Sequence, residues 1–402
     1  MACYFIAIAR TLGVKQYGVF VAISAMIGVV TPFAGIGGPV ILLKNVSRDR
    51  NLLPVYWANG IFLVLVSGSI FTIVLLLFGT RWVGNNLFAP IFFLAVSELI
   101  LARVVELASF AWTALGKMRQ TALLNVYISL SRLICILGLG AIKAHPTVQE
   151  WSEAVFCGSV VCCFYSLYGI APKSGVRLDF RRMRRELAES VYFSVGSSAA
   201  SFYNDVDKTM LARLSDLGST GIYGAAYRLI DVSMAPVRAM TASSYSEFFR
   251  RGAGGAKATS QYAYHLIKKS SLFGTIVAAG LLVGAPILPI ILGRSYGNAV
   301  EALRWLALIP LLRSFHFFLG DALSGAGFNA VRTFVQVVVA IVNVGLNLYF
   351  IPHWAWRGAA WTSLMSDSLL VLGFAGSLAL IVRYPALFPA RSTAAQETVI
   401  SS

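Results

Sequence analysis

Apolar residues are not spread evenly along the chain but gathered into long runs separated by short polar stretches. The runs fall at about 1–12, 17–43, 54–78, 88–115, 121–142, 151–171, 190–214, 220–248, 265–292, 301–324, 330–351 and 358–383. Nearly all exceed the roughly 18 residues that mark a helix able to cross a bilayer. Continuous runs of this length exclude an outer-membrane barrel, whose segments are shorter and alternate apolar with polar at period two. The pattern predicts an all-α polytopic membrane protein of about twelve transmembrane helices, the first one short. At its start Ala7-Ile8-Ala9 imitates a signal-peptidase site. The preceding stretch has no basic region and too short an apolar run for a signal peptide, so it reads as the end of a helix.

Composition strengthens this picture. Of 402 residues, 57% are hydrophobic and 12% charged, about half the charged share of soluble domains. A water-soluble globule is excluded, because no single core buries so much apolar surface. The net charge of +16 does not indicate a nucleic-acid partner, since Lys and Arg lie mostly between apolar runs without interleaved aromatics; the surroundings to expect are membrane lipids. One alternate set of gaps holds Lys44, Arg48 and Arg50; Lys117 and Arg119; Lys173, Arg177, Arg181, Arg182, Arg184 and Arg185; Arg250, Arg251, Lys257, Lys268 and Lys269; Arg332; and Arg383 with Arg391 after the last helix. The other gaps hold about a third as many cations, so the first set, with the C-terminus, is expected in the cytoplasm. Cys3, Cys135, Cys157, Cys162 and Cys163 all fall within apolar runs and without metal-ligand spacing, which predicts packing or lipid-facing residues. No cofactor is expected.

The basic linker near the midpoint prompts a search for a repeat. Ala9-Arg10, a Leu-Gly turn and Tyr17-Gly18 are echoed by Ala212-Arg213, Leu217-Gly218 and Tyr223-Gly224; Leu115-Gly116-Lys117 is echoed by Gly325-Ala326-Gly327. Two echoes at a similar offset predict two six-helix bundles, 1–175 and 190–383, joined by a basic cytoplasmic linker at 176–189 and followed by a polar tail at 384–402. Matching the halves leaves the first helix about a dozen residues short of its counterpart, and those residues are expected upstream of Met1.

Ionisable residues inside hydrocarbon cost at least about 2.5 to 3.5 kcal/mol each, so spans carrying several of them are the candidate site. In the seventh span Ser194, Ser197, Ser198, Ser201, Asp205 and Lys208 fall on one face. This is a wet cavity wall or a small-residue packing face with an intrahelical Asp205-Lys208 pair. The eighth span carries Arg228, Asp231 and Arg238 in one arc; the tenth carries Arg304, Arg313, His316 and Asp321, with Arg304 placed to snorkel and Arg313 to face the interior. Lys208, Arg228, Arg238, Arg313, Ser197 and Ser201 are the candidate substrate-binding residues, and Asp205, Asp231 and Asp321 the candidate ion-coupling acids. The alternative for each cation is a structural pair with an acid on a neighbouring helix. Arg103 and Glu106, one turn apart, read as a self-satisfied pair, whereas Arg132 and Asp367 need partners across helices. Gly35-Ile36-Gly37-Gly38 beside Pro39 reads as close packing or a hinge. Hydrolase, zinc-protease and P-loop motifs are missing, the four histidines are scattered, and no loop exceeds about 20 residues. An enzyme is not expected, and a membrane-embedded glycan polymerase or ligase, which needs a sizeable external loop, is the weaker class.

Several motifs resemble one family. Ala9-Arg10-Thr11-Leu12-Gly13-Val14-Lys15-Gln16-Tyr17-Gly18-Val19-Phe20 is similar to the A-R-x-L-G-x-x-x-Y-G-x-F signature of bacterial polysaccharide flippases of the O-antigen (Wzx-like) type, in the MOP/MATE superfamily. Asp207-Lys208-Thr209-Met210-Leu211 resembles their D-K-x-x-L, and Tyr223-Gly224-Ala225-Ala226-Tyr227-Arg228 their Y-x-x-A-x-R. Asn343 and Asn347, Ile351-Pro352 and Gly358-Ala359-Ala360 resemble their eleventh-to-twelfth-helix pattern, with Trp354-Ala355-Trp356 in place of the usual short Gly-containing turn. The resemblance implies two six-helix bundles around a cavity open to alternate sides, in the bacterial cytoplasmic (inner) membrane. It implies as substrate an oligosaccharide repeat unit on undecaprenyl pyrophosphate, for lipopolysaccharide, O-antigen or exopolysaccharide, with glycan polymerase or ligase machinery as downstream partner. A pyrophosphate-linked sugar needs cations and hydroxyls in a wet cleft while its lipid tail stays in the bilayer. A MATE-type multidrug or cation antiporter is the alternative, and would be expected to show a carboxylate-dominated cavity.

Overall fold

The computed structural model describes residues 2–83, 85–143, 146–170, 177–184, 186, 205–252 and 254–385. Among them no strand occurs, as expected where a bilayer denies the backbone any water to bond. The first helical stretch, Ala2–Val30, is broken at Gly13 (φ 70°, ψ 169°) into α1 (2–12) and α2 (14–30). The ring centroids of Phe5 and Tyr17 lie 6.0 Å apart, where a continuous helix would hold those residues about 18 Å apart, so the chain reverses at Gly13. After it come α3 (Gly38–Val46), α4 (Leu53–Val83), α5 (Phe88–Ala114), α6 (Met118–Ile142), α7 (Val148–Ile170) and α8 (205–214, its described part). The second half contributes α9 (Leu217–Ser233), α10 (Ala235–Gly252), α11 (Gly255–Gly284) and α12 (Ala299–Gly325). The final stretch, Asn329–Arg383, is non-helical at Ala355 and is therefore α13 (329–354) and α14 (356–383). Asn343 Nδ2 donates to Ser366 Oγ at 2.9 Å, and a Cβ on Gly358 would stand 2.4 Å from the Phe350 carbonyl oxygen. These contacts make α13 and α14 an antiparallel hairpin.

Among the described residues the apolar runs are met by helix, and eight stretches are long and apolar enough to cross a membrane. Three runs are broken where the sequence pattern showed continuity. Between α2 and α3, Gly35, Ile36 and Gly37 take φ of 89°, 40° and 65°, a succession of left-handed residues that no helix accommodates. The eighth run is interrupted at Met234, two residues before Pro236, and the tenth at 307–308, before Pro310; in both the proline lacks the N–H that would continue the ladder.

The chain packs as two compact units, residues 1–221 with 291–293, and 222–290 with 294–402. In the first unit α3 lies at the centre: Leu42 and Val46 are fully buried with Trp57, Leu107, Ala108 and Ala111 from α4 and α5. Large apolar side chains on the outer faces, such as Ile70, Ile73 and Leu77 of α4 or Ile134 and Leu137 of α6, are exposed, the inverse of a soluble protein and the surface a lipid solvent calls for. A π-helical turn at Ser97–Leu101 pushes the Leu99 carbonyl to within 2.6 Å of a Cβ built on Gly68, so only glycine fits there on α4. The first turns of α2 and α9 cross at glycines in the same way. A Cβ on Gly18 would lie 1.7 Å from the Leu217 oxygen, and one on Gly221 2.1 Å from the Val14 oxygen. Asp216 caps α9, accepting from Ser219 N (2.8 Å) and Ser219 Oγ (2.6 Å). Burial works against its charge, but these hydrogen bonds prevail and hold its carboxyl below the ordinary range.

In the second unit α12 is the central helix, with 67% of its apolar window buried against 22% for the stretch containing α11. α10 reaches it at two glycines: a Cβ on Gly252 would lie 1.9 Å from the Gly325 oxygen, and one on Gly325 2.5 Å from the Phe248 oxygen. The ends of α5 and α12 share one local geometry. Lys117 N bonds Trp112 O (2.8 Å) and Gly116 N bonds Thr113 O (3.0 Å); Phe328 N bonds Leu323 O (2.8 Å) and Gly327 N bonds Ser324 O (3.0 Å). With Gly116 and Gly327 at φ 75° and 86°, α5 and α12 end in the same left-handed glycine cap.

Candidate functional site

Four charged or titratable side chains of the second unit, Asp231, Arg313, His316 and Asp367, converge on the mid-part of α12. The arginine at its centre, Arg313, is 5% exposed although Arg304, nine residues earlier, is on the outside; the two point to opposite faces as their spacing dictates. The Arg313 guanidinium lies over the Tyr227 ring at 5.2 Å and donates through Nη2 to the Tyr227 hydroxyl. Its Nε is 3.5 Å from Asp367 Oδ2 on α14, and its Nη1 is 3.8 Å from Asp231 Oδ1 on α9. One turn along α12, His316 Nε2 is 3.2 Å from Asp367 Oδ1. Asp367 is 1% exposed and Asp231 about one third exposed. Two acids, one guanidinium and one imidazole are thus held by three helices, where low polarity strengthens each attraction.

The other candidates divide by partner. Asp321 meets Arg332 of α13, not Arg313: Arg332 Nη1 donates to Asp321 Oδ1 (3.1 Å) and Ser324 Oγ (2.7 Å). In the first unit Lys208, 9% exposed, donates through Nζ to Asp205 Oδ1 at 2.7 Å, so the intrahelical pair anticipated from the spacing is formed. Ser197 and Ser201, the hydroxyls of that predicted face, lie outside the described residues. Arg103 holds Glu106 (2.5 Å) on its own helix, and Arg132 of α6 reaches Glu98 of α5 (2.5 Å). Arg228 is half-buried on α9 and Arg238 exposed on α10, and Arg238 donates to the backbone carbonyl of Asp231. Among the described residues, neither of these two arginines pairs with a carboxylate.

Three contributors to the cluster, Tyr227, His316 and Asp367, were not read as site residues from the sequence. Tyr227 occupies an unspecified position of the Y-x-x-A-x-R motif, His316 is one of four scattered histidines, and Asp367 reads only as an acid in need of a partner. Their convergence depends on how α9, α12 and α14 are turned toward one another, which no spacing within a single helix reveals. The described residues contain no group of three or more His, Cys, Asp or Glu able to hold a metal ion.

Comparison with known proteins places this geometry in context. A sequence model of the family described as polysaccharide biosynthesis protein matches residues 2–244. The chain is 24% identical over 374 residues to a probable low-salt glycan biosynthesis flippase of Haloferax volcanii, spanning 89% of this chain and 75% of that protein. In fold it is similar to an inward-facing multidrug resistance MATE family transporter of the MOP superfamily, with a TM-score of 0.75 at 16% identity over 95% of this chain and 94% of the other. The lipid II flippase MurJ in an inward closed conformation matches with a TM-score of 0.74 at 12% identity over 93% and 84% of the two chains. The architecture is that of the helical MATE and MurJ transporters.

Proposed function

We propose that this chain, which belongs to the polysaccharide biosynthesis protein family, is a flippase for a lipid-linked oligosaccharide. In this reading it moves the repeat unit on undecaprenyl pyrophosphate to the outer leaflet of a bacterial cytoplasmic membrane, for O-antigen or exopolysaccharide assembly. Two halves built on the internal repeat give alternate access to a central cleft. The observation that carries the reading is the charge state of the eighth span. Lys208, Arg313, Arg332, Arg103 and Arg132 each have a carboxylate within reach, whereas Arg228 and Arg238 have none among the described residues. An uncompensated guanidinium within an apolar run is costly to leave against hydrocarbon. Two on one span call for an anion from outside, and a pyrophosphate accepts their paired N–H donors. Lys208 and Arg313 then contribute field and position from within their ion pairs, and Ser197 and Ser201 are candidate hydroxyl contacts to the sugar. A MATE-type exporter of cations shares the fold, but it would need the unbalanced charge to be negative.

The test separates binding from folding. Arg228→Gln and Arg238→Gln are expected to lower surface glycan at least about tenfold, the equivalent of about 1.4 kcal/mol, with normal amounts of protein in the membrane. Arg313→Gln is expected to lower the protein itself, because Asp367 and Asp231 are left facing each other without their cation. Normal export from both Arg228→Gln and Arg238→Gln at normal abundance would overturn the cationic-cleft mechanism.

A further inference from the structure

The cluster around Arg313 contains one group that a permanent ion-pair network does not need. His316 is 6% exposed, with the rings of Phe317 and Phe374 packed at 4.8 and 6.5 Å. Its Nε2 faces Asp367 Oδ1 at 3.2 Å, while Asp367 Oδ2 is 3.5 Å from Arg313 Nε. One carboxylate therefore serves an imidazole and a guanidinium that sit three residues apart on the same helix. The guanidinium in turn has a second carboxylate, Asp231, at 3.8 Å on a different helix. The remaining charged and titratable groups facing this centre are the Tyr227 hydroxyl on α9 and the Arg332–Asp321 pair between α13 and α12.

We infer that His316 and Asp367 form a proton-binding site whose occupancy shifts Arg313 between Asp367 on α14 and Asp231 on α9. In the neutral ring the hydrogen sits on Nε2 and is donated to Asp367 Oδ1, so Nδ1 is the basic nitrogen. A proton taken up at Nδ1 makes an imidazolium, and the same proton leaves from Nδ1. With the proton bound, His316 supplies Asp367 with a full counter-charge and repels Arg313, its like-charged neighbour one turn away. The guanidinium then favours Asp231. With the proton gone, Arg313 is the cation that Asp367 requires, and the balance returns to α14. Imidazole is the side chain whose ordinary titration range spans physiological pH.

The position gives the proton a route to the substrate. Asp231 also accepts, through its carbonyl, the hydrogen bond from Arg238, and Arg228 lies three residues before it. A proton that changes the load on Asp231 thus acts on the span assigned to the anion, and linkage requires the anion to act back on the proton. This coupling role rests on the flippase reading; the proton site itself does not.

Two measurements keep the two ideas apart. In inside-out membrane vesicles carrying the full chain, uptake of lipid-linked oligosaccharide is expected to rise about tenfold under an imposed pH gradient. His316→Gln preserves a donor to Asp367 but carries no proton, and is expected to keep normal abundance and gradient-free exchange while losing the response. Asp367→Asn is expected to lose the response as well, and serves if the first variant is not produced. A wild-type chain indifferent to the gradient, or a full response in either variant, overturns the proposal. If the wild type moves no such lipid at all, the flippase reading fails first, and the site is judged directly. With His145, His265 and His353 replaced by Gln, the ring nitrogen signals of His316 are followed by NMR from about pH 5 to 8. Signals that change with pH, and change differently in Asp367→Asn, support the site; signals that never move overturn it.

Discussion

At the turn between α13 and α14 a single residue takes a conformation its side chain resists. Ala355 has φ 50° and ψ −129°, the first central position of a II′-type turn, where a Cβ crowds the backbone and glycine is at home. The neighbouring Trp356 is 6% exposed and anchors the chain beyond the turn, so the packing of one indole holds the strained backbone in place. Ala355→Gly relieves the strain at the cost of a more flexible unfolded chain. The expected net gain is about 1 kcal/mol, read as a higher midpoint of reversible denaturant unfolding in detergent; a lower midpoint would show that the turn is not strained. The departure from the usual Gly-containing turn is legible in the sequence, but its backbone consequence is not. The same limit applies to the charged residues. Asp205-Lys208 and Arg103-Glu106 follow from spacing alone, since residues three apart share a face. Arg132 with Glu98, and Arg313 with Asp231 and Asp367, join different helices, and their meeting depends on helix rotations that a single sequence does not encode.

Among the elements, long apolar runs announce their helices because a bilayer leaves the backbone no other way to satisfy itself. Breaks inside the runs are harder to read. Gly35 to Gly38 reads as close packing or a hinge, because glycine in a membrane span serves packing as often as it breaks a helix. Pro236 and Pro310 sit inside runs whose hydropathy gives no sign of a break. Gly18 and Gly138 show the difference. Gly18 lies where α2 crosses the start of α9, and even one methyl group would penetrate the Leu217 carbonyl at 1.7 Å. Gly138, within α6, has open space where its Cβ would be. Gly18→Ala is expected to destabilise the chain by about 1 to 3 kcal/mol through overpacking. Gly138→Ala should stabilise it by up to about 1 kcal/mol through helix propensity. Thermal unfolding of the two variants in the same detergent provides the comparison, and equal behaviour would mean that the α2–α9 contact is looser than its geometry.

For the whole molecule, the distribution of charge does what a hydrophobic core does for a soluble protein: it decides which way the chain can be placed. Apolar side chains cover the outward faces of both units, so burial alone does not distinguish one side of the membrane from the other. Cations do, because those near span ends are retained on the cytoplasmic side during insertion. The α10–α11 turn carries Arg250 and Arg251, paired with Glu247, followed by Lys257, while the turn before α12 holds Arg294 without other cations near it. The segment at 177–184 carries Arg177, Arg181, Arg182 and Arg184 and is tied to α4, where Asn59 exchanges two hydrogen bonds with the Asp179 backbone at 3.0 and 3.1 Å. That attachment places the basic linker at the Leu53 end of α4, next to Arg48 and Arg50, so two clusters of cations gather at one end of the first unit. Reporter fusions near Arg182 and Arg251 are therefore expected to be active as cytoplasmic fusions, and those near Asn85 and Ser295 as external ones. An external signal at Arg182 would break the alternation of spans on which the repeat, the orientation and the flippase reading all depend, because α4 would then enter the membrane from the wrong side with its docked linker.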